Sequence, residues 1–282
     1  MLAWRRFVER FWIGLMIAML SIAIISVLGI IGIVLWRGFG ALSLEMFFSL
    51  KFSPVTGEPV GIANSIIGSA YLAGGGVLLA CLISIPLALV LQREYLSENI
   101  ITAVTVILDV LWGIPSIVYG AIGYLILMSC HQRASLLGGI VTLALLSVPI
   151  MTRAAMNVIS LVPVQLRETS YGLGATRWET ISRVIFKQAL PGMATAVMLA
   201  FGRAIGDTAA VLFTAGYSDK LPRSIMEGAA SLPITIYYKL MMPGQLAQRQ
   251  AYAASFVLIF IVLVVSAVSR TLSNRLSKFT VK

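Results

Sequence analysis

Arg203 and Asp207 carry charge into Ala200-Phe201-Gly202-Arg203-Ala204-Ile205-Gly206-Asp207-Thr208, a run otherwise made of aliphatic and small residues. On one continuous helix, four residues of separation put both side chains on one face. An Arg or Asp at mid-bilayer costs about 2.5 to 3.5 kcal/mol on insertion scales, so such residues face a cavity or a partner. A guanidinium is a planar fork of donors suited to an oxyanion. A carboxylate beside it would hold the fork in place and keep binding weak enough for release. The competing reading is a self-satisfied ion pair that lets Gly202 and Gly206, themselves at small-xxx-small spacing, pack against another helix. The two readings are compatible. Asp109, in Ile107-Leu108-Asp109-Val110, is a second acid in an apolar run, and the sequence names no partner for it. Arg153, in Pro149-Ile150-Met151-Thr152-Arg153, follows another such run and reads in the first instance as an inner-end anchor.

Catalytic residues are not expected. No Gly-x-x-x-x-Gly-Lys-Ser/Thr run occurs, so a P-loop is missing and ATP hydrolysis is expected on a separate subunit. The single His131 lies beside Gln132 and Arg133 without a Ser/His/Asp set or a carboxylate pair to work with. Cys81 and Cys130 sit in or at the edge of different apolar runs and read as small packing residues, so neither a metal nor another cofactor is expected.

A charged stretch from Thr152 to Gly192 is helix-prone and unlike a Gly/Ser linker. Its central part, Glu168-Thr169-Ser170-Tyr171-Gly172-Leu173-Gly174-Ala175-Thr176-Arg177, reads as two short amphipathic helices with Gly174 turning the chain between them. Leu190-Pro191-Gly192 is expected to stop the second helix before the next span begins. Arg167, Arg177, Arg183 and Lys187 would also suit a helix lying on anionic lipid, but such a helix needs neither the glycine break nor the Leu-Pro.

The elements that must position these residues are membrane spans. The chain has 282 residues, 59% hydrophobic and 11% charged, and a formal net charge of +10. The basic residues flank apolar segments instead of forming a stripe with interleaved aromatics, so no nucleic-acid partner is expected. Six apolar runs qualify as helices: Phe11 to Trp36, Ile66 to Leu91, Ile101 to Met128, Leu136 to Met151, Met193 to Gly216 and Tyr252 to Ser269. The fold class is therefore all-α, a polytopic membrane protein with six transmembrane helices. With the amino terminus inside, the inner segments hold thirteen cations, among them Arg93, Lys278 and Lys282, against seven outside, among them Lys51. That bias puts both termini in the cytoplasm. The expected organisation is an N-terminal segment and first span over 1–40, an outer loop over 41–64, a five-span core over 65–272 with the cytoplasmic loop 152–192, and a tail over 273–282. A second outer connection runs from Tyr217 to Gln250.

The spacing of Glu168-Thr169-Ser170, Gly174 and Leu190-Pro191 resembles the cytoplasmic signature of ABC-type import permeases, in which Glu-Ala-Ala is followed by a spaced Gly and then Leu-Pro. The segment Gly202-Arg203-Ala204-Ile205-Gly206-Asp207-Thr208-Ala209 resembles the Gly-Arg-Ala-Ile-Gly-Glu-Thr-Ala of phosphate importer permeases, with Asp207 in place of the usual Glu. Ile114-Pro115-Ser116-Ile117-Val118-Tyr119-Gly120, Leu232-Pro233-Ile234-Thr235-Ile236-Tyr237 and Gln250-Ala251-Tyr252-Ala253 extend the likeness, which is greatest to the PstA type. The resemblance implies the type I importer permease fold and residence in the inner membrane. It makes Glu168, Thr169, Ser170, Gly174, Leu190 and Pro191 an ATPase-coupling segment, and Arg203, Asp207 and Arg153 candidates for an anion pathway, since the family has a basic residue matching Arg153. The implied partners are two ABC ATPase subunits, a second permease subunit, membrane lipid and an extracytoplasmic phosphate-binding protein. Molybdate, sulfate or phosphonate permeases share the loop signature. A non-transporting scaffold or sensor would use the same loop to recruit a soluble partner.

Overall fold

The computed structural model describes residues 2–49, 61–92 and 94–276. Lys51, Arg93, Lys278 and Lys282, part of the 41–64 loop and most of the 273–282 tail fall outside them. The described elements are helical: α1 (Leu2–Ala41), α2 (Leu44–Phe48), α3 (Ala63–Val90), α4 (Glu98–Gly113), α5 (Ser116–Ser129), α6 (Leu136–Ser160), α7 (Val164–Gly172), α8 (Arg177–Glu179), a π-helical turn (Thr180–Ile185), α9 (Phe186–Gly206), α10 (Ala209–Thr214), α11 (Leu232–Met241) and α12 (Gln245–Leu276). Five helices among the described residues are long and apolar enough to cross a membrane, and α4 with α5 makes a sixth passage bent by 95°.

The bend corrects the expectation of one straight helix over Ile101 to Met128. Pro115 offers no N–H and holds Ile114 in extended backbone, at φ −70° and ψ 128°, so α4 ends and α5 restarts in a new direction. A second correction concerns Pro191, which lies inside α9 and stops nothing: Arg177 to Gly206 runs as one continuous helical rod through the π turn. Pro191 is buried and Gly192 abuts the Val158 side chain of α6, so tertiary packing holds the helix through the lost hydrogen bond. α6 likewise continues past Met151 to Ser160, and the turn-forming part of the 152–192 loop shrinks to about the stretch around Leu161 to Pro163 and Leu173 to Thr176.

α3 and α6 form the centre. Ala73, Val77 and Ala80 of α3 meet Leu143, Ala144 and Leu146 of α6 in the main apolar cluster, closed by Ala200 and Ala204 of α9 and Ala210 and Val211 of α10. Small residues permit the close approach: Gly76 faces Leu143, and Gly139 faces Leu72. The stretch over Tyr217 to Gln250, expected as an outer connection, packs closely onto the body. The Leu232 N–H donates to Ser69 Oγ at 2.7 Å, Ser65 Oγ and Thr235 Oγ1 are 2.7 Å apart, and Leu232 and Ile234 are fully buried. Such polar ties across apolar interfaces satisfy groups that lipid cannot. α1 packs along α12 with Arg37 Nη1 donating to Tyr252 Oη at 2.9 Å.

Gly68 of α3 lies against the Ala230 backbone, where an added Cβ would collide with the Ala230 carbonyl oxygen, whereas Gly74 faces open space. Alanine at an open helical site gains about 1 kcal/mol over glycine. Gly74→Ala should therefore keep or raise the midpoint of thermal unfolding in detergent, and Gly68→Ala should lower it by several degrees. Equal midpoints for the two variants would contradict this packing.

Candidate functional site: a charged turn and two arginines

The coupling candidates cluster on one turn. α7 carries Arg167, Glu168, Thr169 and Ser170 and ends at Gly172, and Gly174 then takes φ +83°, the left-handed conformation that turns the chain into α8. α8 opens with a capping box in which Thr176 Oγ1 accepts from the Glu179 N–H at 3.3 Å and Glu179 Oε2 accepts from the Thr176 N–H at 3.1 Å. The turn lies at Gly174 as the sequence pattern predicts, but it joins the short α7 to the start of the Arg177–Gly206 rod and not to a second short helix. Glu168 and Thr169 are exposed, while Ser170 is buried with its Oγ 2.9 Å from Thr180 Oγ1. A hydroxyl at this position, where the import-permease signature has alanine, is thus matched by a hydroxyl across the turn. Leu173 and Trp178, 84% and 67% exposed, flank Gly174. Leu190 and Pro191 lie more than a turn further along the rod, away from this surface.

The turn is attached to the rest of the protein through a residue that sequence reading passed over. Glu94, in the connection between α3 and α4, accepts Arg167 Nη1 at Oε1 (2.7 Å) and Arg177 Nη1 at its backbone carbonyl (2.7 Å). Glu94, Tyr95, Leu96 and Ser97 form one wall of a cleft of about 760 Å³, with Tyr171, Thr176 and Arg177 opposite. Burial, and then the neighbouring Glu94 and Tyr95, push the Tyr171 hydroxyl above its usual range, so it remains a neutral donor. The one sequence signal for Glu94 is an acid facing the loop's arginines across 73 residues, and no local pattern reports that.

The two arginines of the anion-path candidate differ in environment. Arg153 is forked onto Asp109, with Nε 2.9 Å from Oδ1 and Nη2 donating to Oδ2 at 3.2 Å. Asp109 thereby gains the partner that sequence could not name. The pair joins α4 to α6, and its side chains are 31% and 45% exposed. A forked pair of that exposure between apolar helices suits a cavity or a second subunit far better than lipid.

Arg203 and Asp207 do not form the expected pair. α9 ends at Gly206, Asp207 is extended at ψ 124°, and its Oδ1 accepts the Ala210 N–H at 2.8 Å. The carboxylate caps the start of α10 instead of facing Arg203, because an N-terminal N–H is a nearer donor once the helix breaks. Arg203 is exposed, and among the described residues no carboxylate lies within ion-pair distance of it. Arg153 and Arg203 therefore present one neutralised and one free guanidinium.

Removing half of the Asp109–Arg153 fork should cost about 1 kcal/mol, the upper range for partly exposed pairs. Asp109→Asn is expected to lower the unfolding midpoint in detergent by about 2 to 4 °C. Arg203→Gln breaks no bond and should leave it unchanged. A larger loss from Arg203→Gln than from Asp109→Asn would refute these assignments.

Residues 84–281 match the family described as the binding-protein-dependent transport system inner membrane component. A phosphate transport system permease protein PstA of Yersinia pestis is 32% identical over 274 residues, covering 96% of this chain and 91% of that protein. A PstA 2 of Mycobacterium bovis is 32% identical over 286 residues, covering 97% and 90%. Among solved structures, a MetNI methionine ABC transporter chain superposes with a TM-score of 0.64 at 18% identity, covering 83% of this chain and 99% of that one. A bacterial alginate ABC transporter chain gives 0.62 at 18% identity, covering 98% and 99%. At those identities the likeness is one of fold, that of the type I importer permeases expected from the sequence.

Proposed function

This chain belongs to the PstA permeases among the binding-protein-dependent inner membrane transport components, and from that premise we propose that it forms one half of the membrane path of an ATP-driven phosphate importer. The observation that carries the substrate reading is Arg203, an exposed guanidinium with no carboxylate partner among the described residues, at the end of the uncharged 189–202 stretch of the rod. A fork of unused N–H donors in an apolar surrounding binds a tetrahedral oxyanion, and Asp207 is occupied elsewhere and does not compete for it.

The turn around Gly174 is the docking element for the ATPase. Exposed Glu168, Leu173 and Trp178 give it an apolar centre with a charged rim, the composition of a contact surface. Glu168, Thr169, Ser170 and Gly174 belong to that surface, with Leu190 and Pro191 contributing through the rigid rod behind it. The assembly comprises two ATPase subunits, a second permease and an extracytoplasmic phosphate-binding protein, with both termini and the turn on the cytoplasmic side. The second permease covers the exposed Arg203 and the partly exposed Asp109–Arg153 pair and completes the path.

Reconstituted with its partners in proteoliposomes, the complex should take up phosphate only with ATP and the binding protein. Arg203→Gln should abolish uptake while leaving assembly and thermal stability intact. Normal uptake by that variant would return Arg203 to a packing role, and equal uptake of molybdate or sulfate would overturn the substrate assignment.

A further inference from the structure

The two helices on either side of the Gly174 turn grip the same residue. Arg167 of α7 holds the Glu94 carboxylate and Arg177 of α8 holds the Glu94 carbonyl oxygen, each at 2.7 Å. The Arg167 and Glu94 side chains are only 17% and 19% exposed to solvent, so the bond is screened less than a surface pair would be. Glu94 Oε2 and Arg167 Nε are buried without a hydrogen-bond partner among the described residues. That one carboxylate oxygen therefore carries the side-chain attachment, and no neighbouring group duplicates it.

Glu94 lies four residues before Glu98, where α4 begins. α4 has a single buried residue, Leu108, and its main helical neighbour is α6. Polar ties fix the register of an element that buries so little of its surface against the rest of its own chain. Its ties include Glu94 at its root and, near its far end, Asp109 forked onto Arg153 of α6 and the Leu111 carbonyl oxygen, which accepts from Tyr119 Oη at 2.9 Å. Just beyond Asp109 the chain bends by 95° into α5.

We propose that α4 is the arm that carries movement of the ATPase-docking turn to the anion path, and that Glu94 is the positioning residue of that coupling. Displacement of the turn pulls Glu94 through both arginines and shifts α4 along α6. Asp109 is then withdrawn from Arg153. In the resting arrangement the Asp109 carboxylate is the resident anion of Arg153, and its departure frees the guanidinium for phosphate. The inference rests on the reading that the turn docks on an ATPase.

The test uses the complete complex in proteoliposomes, measuring ATP hydrolysis and phosphate uptake together. Glu94→Gln removes the charge and keeps the shape. Hydrolysis should stay within about twofold of the wild type while phosphate moved per ATP falls by about tenfold or more, within the usual range of coupling between sites. Glu94→Asp, which keeps the carboxylate, should restore part of the ratio. An unchanged ratio in Glu94→Gln, or hydrolysis and uptake falling in proportion in an assembled complex, overturns the proposal. Should Glu94→Gln fail to assemble, Arg167→Gln carries the same test: it leaves the Glu94 carboxylate in place but removes the cation that holds it. A reduced ratio then supports the arm and an unchanged one overturns it. A wild-type complex that holds no ATPase would instead defeat the docking reading, before any variant is made.

Discussion

A guanidinium in an apolar layer must be neutralised by a partner, held in a wet cavity, or left out of the layer. Three arginines organise the geometry of this protein, Arg153 and Arg203 among the apolar helices and Arg167 on the charged turn outside them. Arg153 is met by Asp109 across two helices, Arg167 by Glu94 across a loop, and Arg203 by no carboxylate among the described residues. The first two solutions tie elements together. The third leaves an exposed guanidinium, consistent with the proposed anion path.

The helices that hold these charges owe their arrangement to small residues and to backbone satisfaction. α3 and α6 approach closely because Gly76 and Gly139 offer no side chain, and the segment after Tyr217 packs against them through Ser65, Ser69 and Thr235. Breaks occur where the chain has another way to satisfy its N–H and C=O groups. Pro115 removes a donor and the passage bends, whereas Asp207 supplies an acceptor and α10 can begin anew. The charged turn sits outside this apolar body and is joined to it by the continuous Arg177–Gly206 rod and by Glu94.

Much of this was legible in the sequence. Apolar run length located all six passages, since a span has to supply about 20 residues without charge wherever it packs. Gly174 was legible as a turn because few other residues adopt its backbone angles, and Arg203 because a charge in such a run is conspicuous. The family followed from motif spacing.

What sequence alone could not determine is which groups meet. Periodicity assigned Arg203 and Asp207 to one helix face, but the helix ends between them, and the carboxylate takes the nearer donor on α10. Local rules ended the second loop helix at Pro191, yet contacts with α6 carry that helix onward. Asp109 with Arg153 and Glu94 with Arg167 are 44 and 73 residues apart. Local spacing determines periodicity, turns and span length, because each depends only on neighbouring residues. Ion pairs across that much chain exist only once α3, α4 and α6 have packed, and so the tertiary structure alone decided that Arg153 and Arg167 are tied while Arg203 has no carboxylate partner among the described residues.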